Sequence, residues 1–185
     1  MKHLHIERAR YQLITALLLG VMLTYSQLSS PSLIAAESLS DAEKYQRVMA
    51  MYADYQADIP GIEEIDAASA IKLLGDPGIV FVDVRKAEEQ DVSMIPGAVT
   101  SEVLLADIDR FHGQRIIAYC TIGYRSGKLA AKMGRKGARI ANLKGGLLAW
   151  VHAGGPMVHD NLPVRILHVY GRKWDLAPKS IETTY

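Results

Sequence analysis

A single cysteine, Cys120, stands among 185 residues. One thiol excludes an internal disulfide, and it excludes any Cys-x-x-Cys redox or zinc pair. None of the six histidines falls at metal-ligand spacing with another ligand, so they read as structural or surface residues and no metal is expected. An excess of charge is lacking too. The chain carries 21 Lys and Arg against 20 Asp and Glu, a net charge of +1, without the basic footprint of a nucleic-acid binder. The apolar run at residues 13–23 falls short of the ~20 residues of a usual membrane span. What is present is hydrophobic content: 49% of the chain, enough for one domain with a core plus extensions.

Residues 1–36 read as a targeting segment. Lys2, Arg8 and Arg10 make a basic start, the apolar run follows, Ser29, Ser30 and Pro31 break it, and Ile34, Ala35 and Ala36 offer small residues for cleavage. That is the order of a secretory signal peptide. An uncleaved membrane anchor through residues 13–25 is the alternative. No cysteine follows the run, which excludes a lipoprotein. Either reading places the rest of the chain outside the inner membrane of a bacterium, in the periplasm or anchored beside it.

Residues 37–61 read as a helical linker. Ser40 and Glu43 form a capping box opening a helix to about Ala53, with Tyr45, Val48, Met49 and Tyr52 on one face. It packs on the domain or spaces it from the membrane. From residue 62 to 155 strands and helices alternate. Residues 62–65 suggest a short strand, and Asp66 caps a helix to Leu74. Residues 79–82 form a central buried strand that delivers Asp83 and Arg85 at its C-terminal end. A short helix at 103–108, strands at 115–119 and 138–143, and a helix ending at Trp150 complete the series. Such alternation predicts an α/β fold: a small parallel sheet with right-handed crossovers and helices on both faces. Residues 156–185 are a C-terminal extension. Its stretch 164–170 alternates as a strand or an extended wrap, Arg165, His168, Arg172 and Lys173 make it mildly basic, and Trp174 is expected to pack on the domain.

The chemistry concentrates at Cys120, Thr121, Ile122, Gly123, Tyr124, Arg125 and Ser126. This stretch lies between the strand at 115–119 and a helix expected over 127–133 with Ser126 near its N-cap. Unpaired N–H groups and the positive end of a helix dipole favour an anion there, and a thiolate is such an anion. Gly123 lets the loop curl so that N–H groups point inward. Arg125 adds a fork of charged donors, and Tyr124 is expected to face solvent.

Cys120, Gly123, Arg125 and Ser126, so spaced, resemble the active-site loop of the rhodanese (thiosulfate sulfurtransferase-like) domain family. Val82, Asp83, Val84 and Arg85, followed by Glu88, Glu89 and then Ile95, Pro96, Gly97 and Ala98, resemble its first motif. Gly145, Gly146, Ala149 and Trp150 resemble its closing one. The likeness spans about residues 62–152. It implies that Asp83 and Arg85 buttress the site rim, with Arg85 pairing with Glu89. At Ser93 and Met94 the chain departs from the family, where a Gly-His pair is common; the chemistry does not depend on that histidine.

The resemblance implies a sulfurtransferase that needs no cofactor. Cys120 would take sulfur from a small donor, thiosulfate or a persulfide, and pass it to a thiol or protein acceptor through a persulfide. The loop N–H groups would stabilise thiolate and persulfide in the manner of an oxyanion hole. Two other readings stand beside it. A cysteine phosphatase or arsenate reductase has five residues between Cys and Arg, whereas here there are four, Thr121 to Tyr124, a smaller cradle. A persulfide-carrying or redox-sensing binding module would use Cys120 without strong turnover.

Overall fold

The computed structural model describes residues 39–185. The expected export signal and anchor lie outside the described residues. Among those described, no helix is long and apolar enough to cross a membrane.

Five strands, β1 (Glu64–Ile65), β2 (Ile79–Asp83), β3 (Val99–Thr100), β4 (Arg115–Tyr119) and β5 (Ile140–Leu143), form one parallel sheet in the order β1-β5-β4-β2-β3. The two central strands pair in register from Ile79 with Arg115 to Asp83 with Tyr119. They are rich in β-branched residues because a strand covered on both faces must be apolar on both. Alternation divides their side chains between two cores. Phe81, Ile117, Tyr119, Ala141 and Leu143 face one; Val80, Val82, Ile116, Ala118 and Ile140 face the other.

Helices cover both faces, as expected. On the first lie α1 (Asp41–Gln56), α2 (Ala67–Ile71) and α6 (Gly146–His152), which contribute Val48, Ala70, Leu147 and Trp150. On the second lie α4 (Ser101–Ala106) and α5 (Tyr124–Gly134), which contribute Leu104, Ala130 and Met133. A short α3 (Ala87–Gln90) follows β2. The capping box of α1 is formed: Ser40 N–H donates to Glu43 Oε2 at 2.8 Å and Glu43 N–H donates to Ser40 Oγ at 3.3 Å. With Val48 and Tyr52 buried, α1 packs on the domain, the first of the two roles expected for it, and is part of the domain rather than only a linker before it. Two boundaries also differ. The helix after Asp66 stops at Ile71, where tighter bonds from Leu73 N–H to Ala70 and from Leu74 N–H to Ile71 take over. The helix expected from 103, α4, begins at Ser101 because the Thr100 hydroxyl accepts from Val103 N–H at 3.4 Å.

The C-terminal segment is likewise integral rather than an appendage. β6 (Met157–His159) and β7 (Leu162–Val164) form an antiparallel hairpin through Asp160 and Asn161, both at positive φ, the conformation a two-residue turn needs. β8 (Ile166–His168) pairs in parallel with β9 (Glu182–Thr184). Met157, Leu167, Val169, Leu176 and Ala177 are buried in the first core. The stretch that departs from the family pattern is what receives this segment. Ser93 Oγ donates to the Ile166 carbonyl at 2.7 Å, and Met94 forms a backbone bridge with Val158.

Candidate active site

β4 ends at Tyr119, and the four residues Cys120 to Gly123 turn the chain into α5. The helix begins three residues earlier than expected. Its N-cap is Gly123, at φ +94°, not Ser126. No other residue fits: a Cβ at Gly123 would lie 2.6 Å from the Tyr52 ring, and left-handed φ is strained for a side chain. Ser126, freed from capping, donates its hydroxyl to Asn142 Oδ1 at 2.7 Å. Asn142, fully buried on β5, also donates from Nδ2 to the Gly123 carbonyl at 2.9 Å and to Tyr52 Oη at 3.1 Å. The Tyr52 hydroxyl in turn donates to Glu64. Burial first, and the neighbouring Glu64 carboxylate second, push the Tyr52 phenol well above its ordinary range, so it stays a donor.

The closing motif holds the other side of the loop. Leu147 N–H donates to the Cys120 carbonyl at 2.9 Å and Leu148 N–H to the Thr121 carbonyl at 3.1 Å. These first-turn groups of α6 have no partner within their helix. Gly146 permits the approach, since any Cβ there would overlap the Cys120 carbonyl.

Cys120 is 1% exposed. Its Sγ accepts from Gly123 N–H at 3.2 Å, so a loop amide does meet the sulfur. Arg125 also lies beside it, and Glu89 takes up the guanidinium. Arg125 Nη1 and Nη2 donate to the two Glu89 oxygens at 2.6 and 2.7 Å, and Nη2 also donates to Thr121 Oγ1 at 3.1 Å. The Thr121 hydroxyl donates to Glu89 Oε1 at 3.0 Å. This corrects the expected pair of Arg85 with Glu89. Arg85 folds back on Asp83, two residues before it, with Nε at 3.0 Å and Nη2 at 2.7 Å from the carboxylate, and it also reaches the Ser93 carbonyl. Both members are buried. They buttress the ends of β2 and of the Ser93 stretch, and neither lines the pocket.

A cavity of about 330 Å³ opens over Cys120. Thr121, Ile122, Tyr124 and Arg125 of the loop line it, together with Tyr55, Tyr170, Lys173 and Trp174. Tyr124 is half-buried, not solvent-directed, with its ring 5.0 Å from that of Tyr55. The Tyr170 and Trp174 rings lie 4.7 Å apart, tilted by 54°, and the Arg125 guanidinium lies 5.2 Å from the Tyr170 ring centroid. So Trp174 does pack on the domain, and it does so on the pocket. Sequence reasoning missed Glu89 as the partner of Arg125, and it missed Tyr55, Tyr170, Lys173 and Trp174 as residues of the pocket. The one available signal was a Tyr-Gly-Arg-Lys-Trp cluster at 170–174. Among the described residues, no three His, Cys, Asp or Glu side chains gather so as to hold a metal ion.

Chemically, the arrangement offers a buried thiol at the floor of an aromatic-walled pocket, a backbone donor on the sulfur, and a charge-balanced loop. Residues 66–153 match the family model of the rhodanese-like domain. A sulfurtransferase of Allochromatium vinosum is 32% identical over 102 residues, covering 52% of this chain and 95% of that protein. A tRNA uridine(34) hydroxylase of Buchnera aphidicola is 31% identical over 90 residues, 43% of this chain but only 29% of that protein. Among solved structures, a thiosulfate sulfurtransferase of Pseudomonas aeruginosa aligns at 26% identity with a TM-score of 0.48, over 54% of this chain and 20% of that one.

Proposed function

The chain belongs to the rhodanese-like domain family, and on that premise we propose that it is a sulfurtransferase working through a persulfide on Cys120. The supporting observation is the hydrogen bond from Gly123 N–H to Cys120 Sγ at the pocket floor. The Cys120 thiolate attacks the outer sulfur of a donor such as thiosulfate or a persulfide. An Sγ–S bond forms, the donor's S–S bond breaks, and its electron pair leaves on sulfite or a thiolate. An acceptor thiolate then attacks the terminal sulfur and restores Cys120. The two half-reactions share one pocket, which gives ping-pong kinetics. No step consumes an oxidant or a reductant.

The phosphatase reading loses support from Arg125. Its two terminal nitrogens are held by Glu89, so a phosphate would have to displace a buried carboxylate. Incubation with thiosulfate followed by intact-mass measurement tests the proposal. A one-sulfur adduct is expected on the wild type and none on Cys120→Ser. An adduct on the serine variant would end the persulfide reading. An adduct that forms but is never passed to cyanide or a thiol would leave a sulfur carrier rather than an enzyme.

Export is proposed from the basic start and apolar run of residues 1–36. A reporter fused after Ser40 is expected to be active only in the periplasm. Protein found wholly in the cytosolic fraction would refute this.

A further inference from the structure

Residues 170–174 reach back across the domain and build one wall of the pocket over Cys120. Tyr170 and Trp174 form that wall, and Tyr55 with Tyr124 form another. We propose that this aromatic enclosure selects an organic sulfur donor, a persulfide or thiosulfonate anion with an apolar body, over inorganic thiosulfate. The inference rests on the sulfur-transfer reading and names its substrate class.

Three observations carry it. The first is size and lining. A cavity of about 330 Å³ lies at the lower end of the roughly 300–1,000 Å³ of sites that enclose organic ligands. A thiosulfate ion would leave much of it to water held against aromatic rings.

The second is charge. Thiosulfate is a dianion, and burying it needs matched cations. Arg125 is already balanced by Glu89. Lys173, whose Nζ lies 4.5 Å from the Trp174 ring centroid, has no acidic partner within ion-pair distance among the described residues. With Arg125 already paired, the exposed Lys173 is the cation left without an acidic partner among the residues lining the pocket, which suits a monoanion with an apolar body.

The third is that the wall is held in place. Tyr170 sits at φ +69°, a conformation costly for a bulky residue unless its surroundings enforce it. Its ring, 49% exposed, lies against the Arg125 guanidinium and the Trp174 ring, and its N–H donates to His168 Nδ1 at 3.1 Å.

With a thiosulfonate donor the chemistry balances as follows. The Cys120 thiolate attacks the terminal sulfur, the Sγ–S bond forms, the S–S bond breaks, and the electron pair departs on the sulfinate. The apolar group of that sulfinate is what the rings hold.

The test compares benzenethiosulfonate, methanethiosulfonate and thiosulfate as donors. The first two share a sulfinate leaving group and differ in their body, so their ratio of kcat/KM reports the wall. That ratio is expected to exceed about tenfold in the wild type, the scale of an apolar group fitted to a pocket. It should fall toward unity in Trp174→Ala and in Tyr170→Ala and be largely kept in Trp174→Phe, which retains a ring. Thiosulfate is expected to be the poorest of the three. A wild-type ratio near unity, or a ratio unmoved by both alanine variants, overturns the proposal while sulfur transfer stands. Failure of all three donors to place sulfur on Cys120, read by intact mass, overturns the transfer reading and this inference with it.

Discussion

Arg125, in the first turn of α5, grips Glu89 of α3 with both ends of its fork, at 2.6 and 2.7 Å. The carboxylate is 1% exposed and the guanidinium 30%. Removing one partner of a buried pair strands the other and typically costs ~3–5 kcal/mol. Water reaches Arg125 through the pocket, so Arg125→Ala should lose less, about 2–3 kcal/mol. The double variant Glu89→Ala/Arg125→Ala should be less destabilised than the two singles together. Urea denaturation of the four proteins checks this, and strictly additive losses would show that the pair is not coupled. Because Glu89 already balances the charge of Arg125, the loss of turnover in Arg125→Ala should stay below the ~10²–10³-fold seen when an oxyanion donor is deleted.

The same pair sets a pH dependence. Burial works against the Glu89 charge, but hydrogen bonds from Arg125 and from the Lys86 backbone outweigh it and hold the carboxyl below its ordinary value. A depressed carboxylate adds stability above the unfolded value of ~4.3. That share is lost as pH falls through the folded value. The wild type should therefore lose stability more steeply than Glu89→Gln between about pH 5 and pH 3. Urea midpoints across that range decide it, and parallel declines would count against the sign argued here.

The loop was legible because its chemistry needs particular residues at fixed spacing: a thiol, a glycine that curls the backbone, an arginine and a helix start. The sheet was legible because residues 79–82 and 115–119 are apolar on both faces, as central parallel strands must be. What the sequence hid was competition between equivalent partners. Ser126 is a sound N-cap by type, but Gly123 takes that place through its backbone, and the serine hydroxyl is spent on Asn142. Glu89 is one short helix from Arg85, and the nearer Asp83 claims that arginine first. Nothing periodic links residues 170–174 to Cys120. Their approach depends on Ser93, Met94 and the hairpin at 157–164, and such long-range contacts leave no local signature.

Asn142 joins three elements, so its loss should be felt in catalysis before binding. It holds the Gly123 carbonyl and accepts from Ser126, which fixes the loop that cradles the sulfur. Asn142→Ala leaves the buried Ser126 hydroxyl unpaired, at about 1–3 kcal/mol, and leaves the Gly123 carbonyl only its helical bond from Gly127 N–H. A loop displaced by even ~1 Å can cost about 10²-fold in rate. The expected result is a large fall in kcat with a smaller change in KM. Tyr52→Phe keeps the ring that packs over Gly123 and removes a hydroxyl that bonds both Asn142 and Glu64, so its cost should be about 1–3 kcal/mol, two hydrogen bonds. If Asn142→Ala raised KM and left kcat alone, its part in positioning the loop would be discarded.

Residues 156–185 lie beyond the span that matches the family model, yet they should be indispensable to the fold. Met157, Leu167, Val169 and Leu176 are buried in the same core as Trp150 and Phe81. Burying each such side chain contributes about 1.5–3 kcal/mol, and a whole domain is stable by only ~5–15 kcal/mol. The segment also supplies the Ile166 carbonyl to the buried Ser93 hydroxyl and the Leu176 carbonyl to His152. A chain ending at residue 155 would expose that apolar face and orphan those groups. It should fail to unfold cooperatively in urea and should bind a hydrophobic dye at neutral pH. The milder Leu167→Ala, at a fully buried position, should fold with a loss of about 2–5 kcal/mol. A truncated chain that unfolds in one sharp transition at the wild-type midpoint would show that the segment rests on a finished domain. In that case its aromatic wall would be an addition to the pocket rather than a part of the fold that builds it.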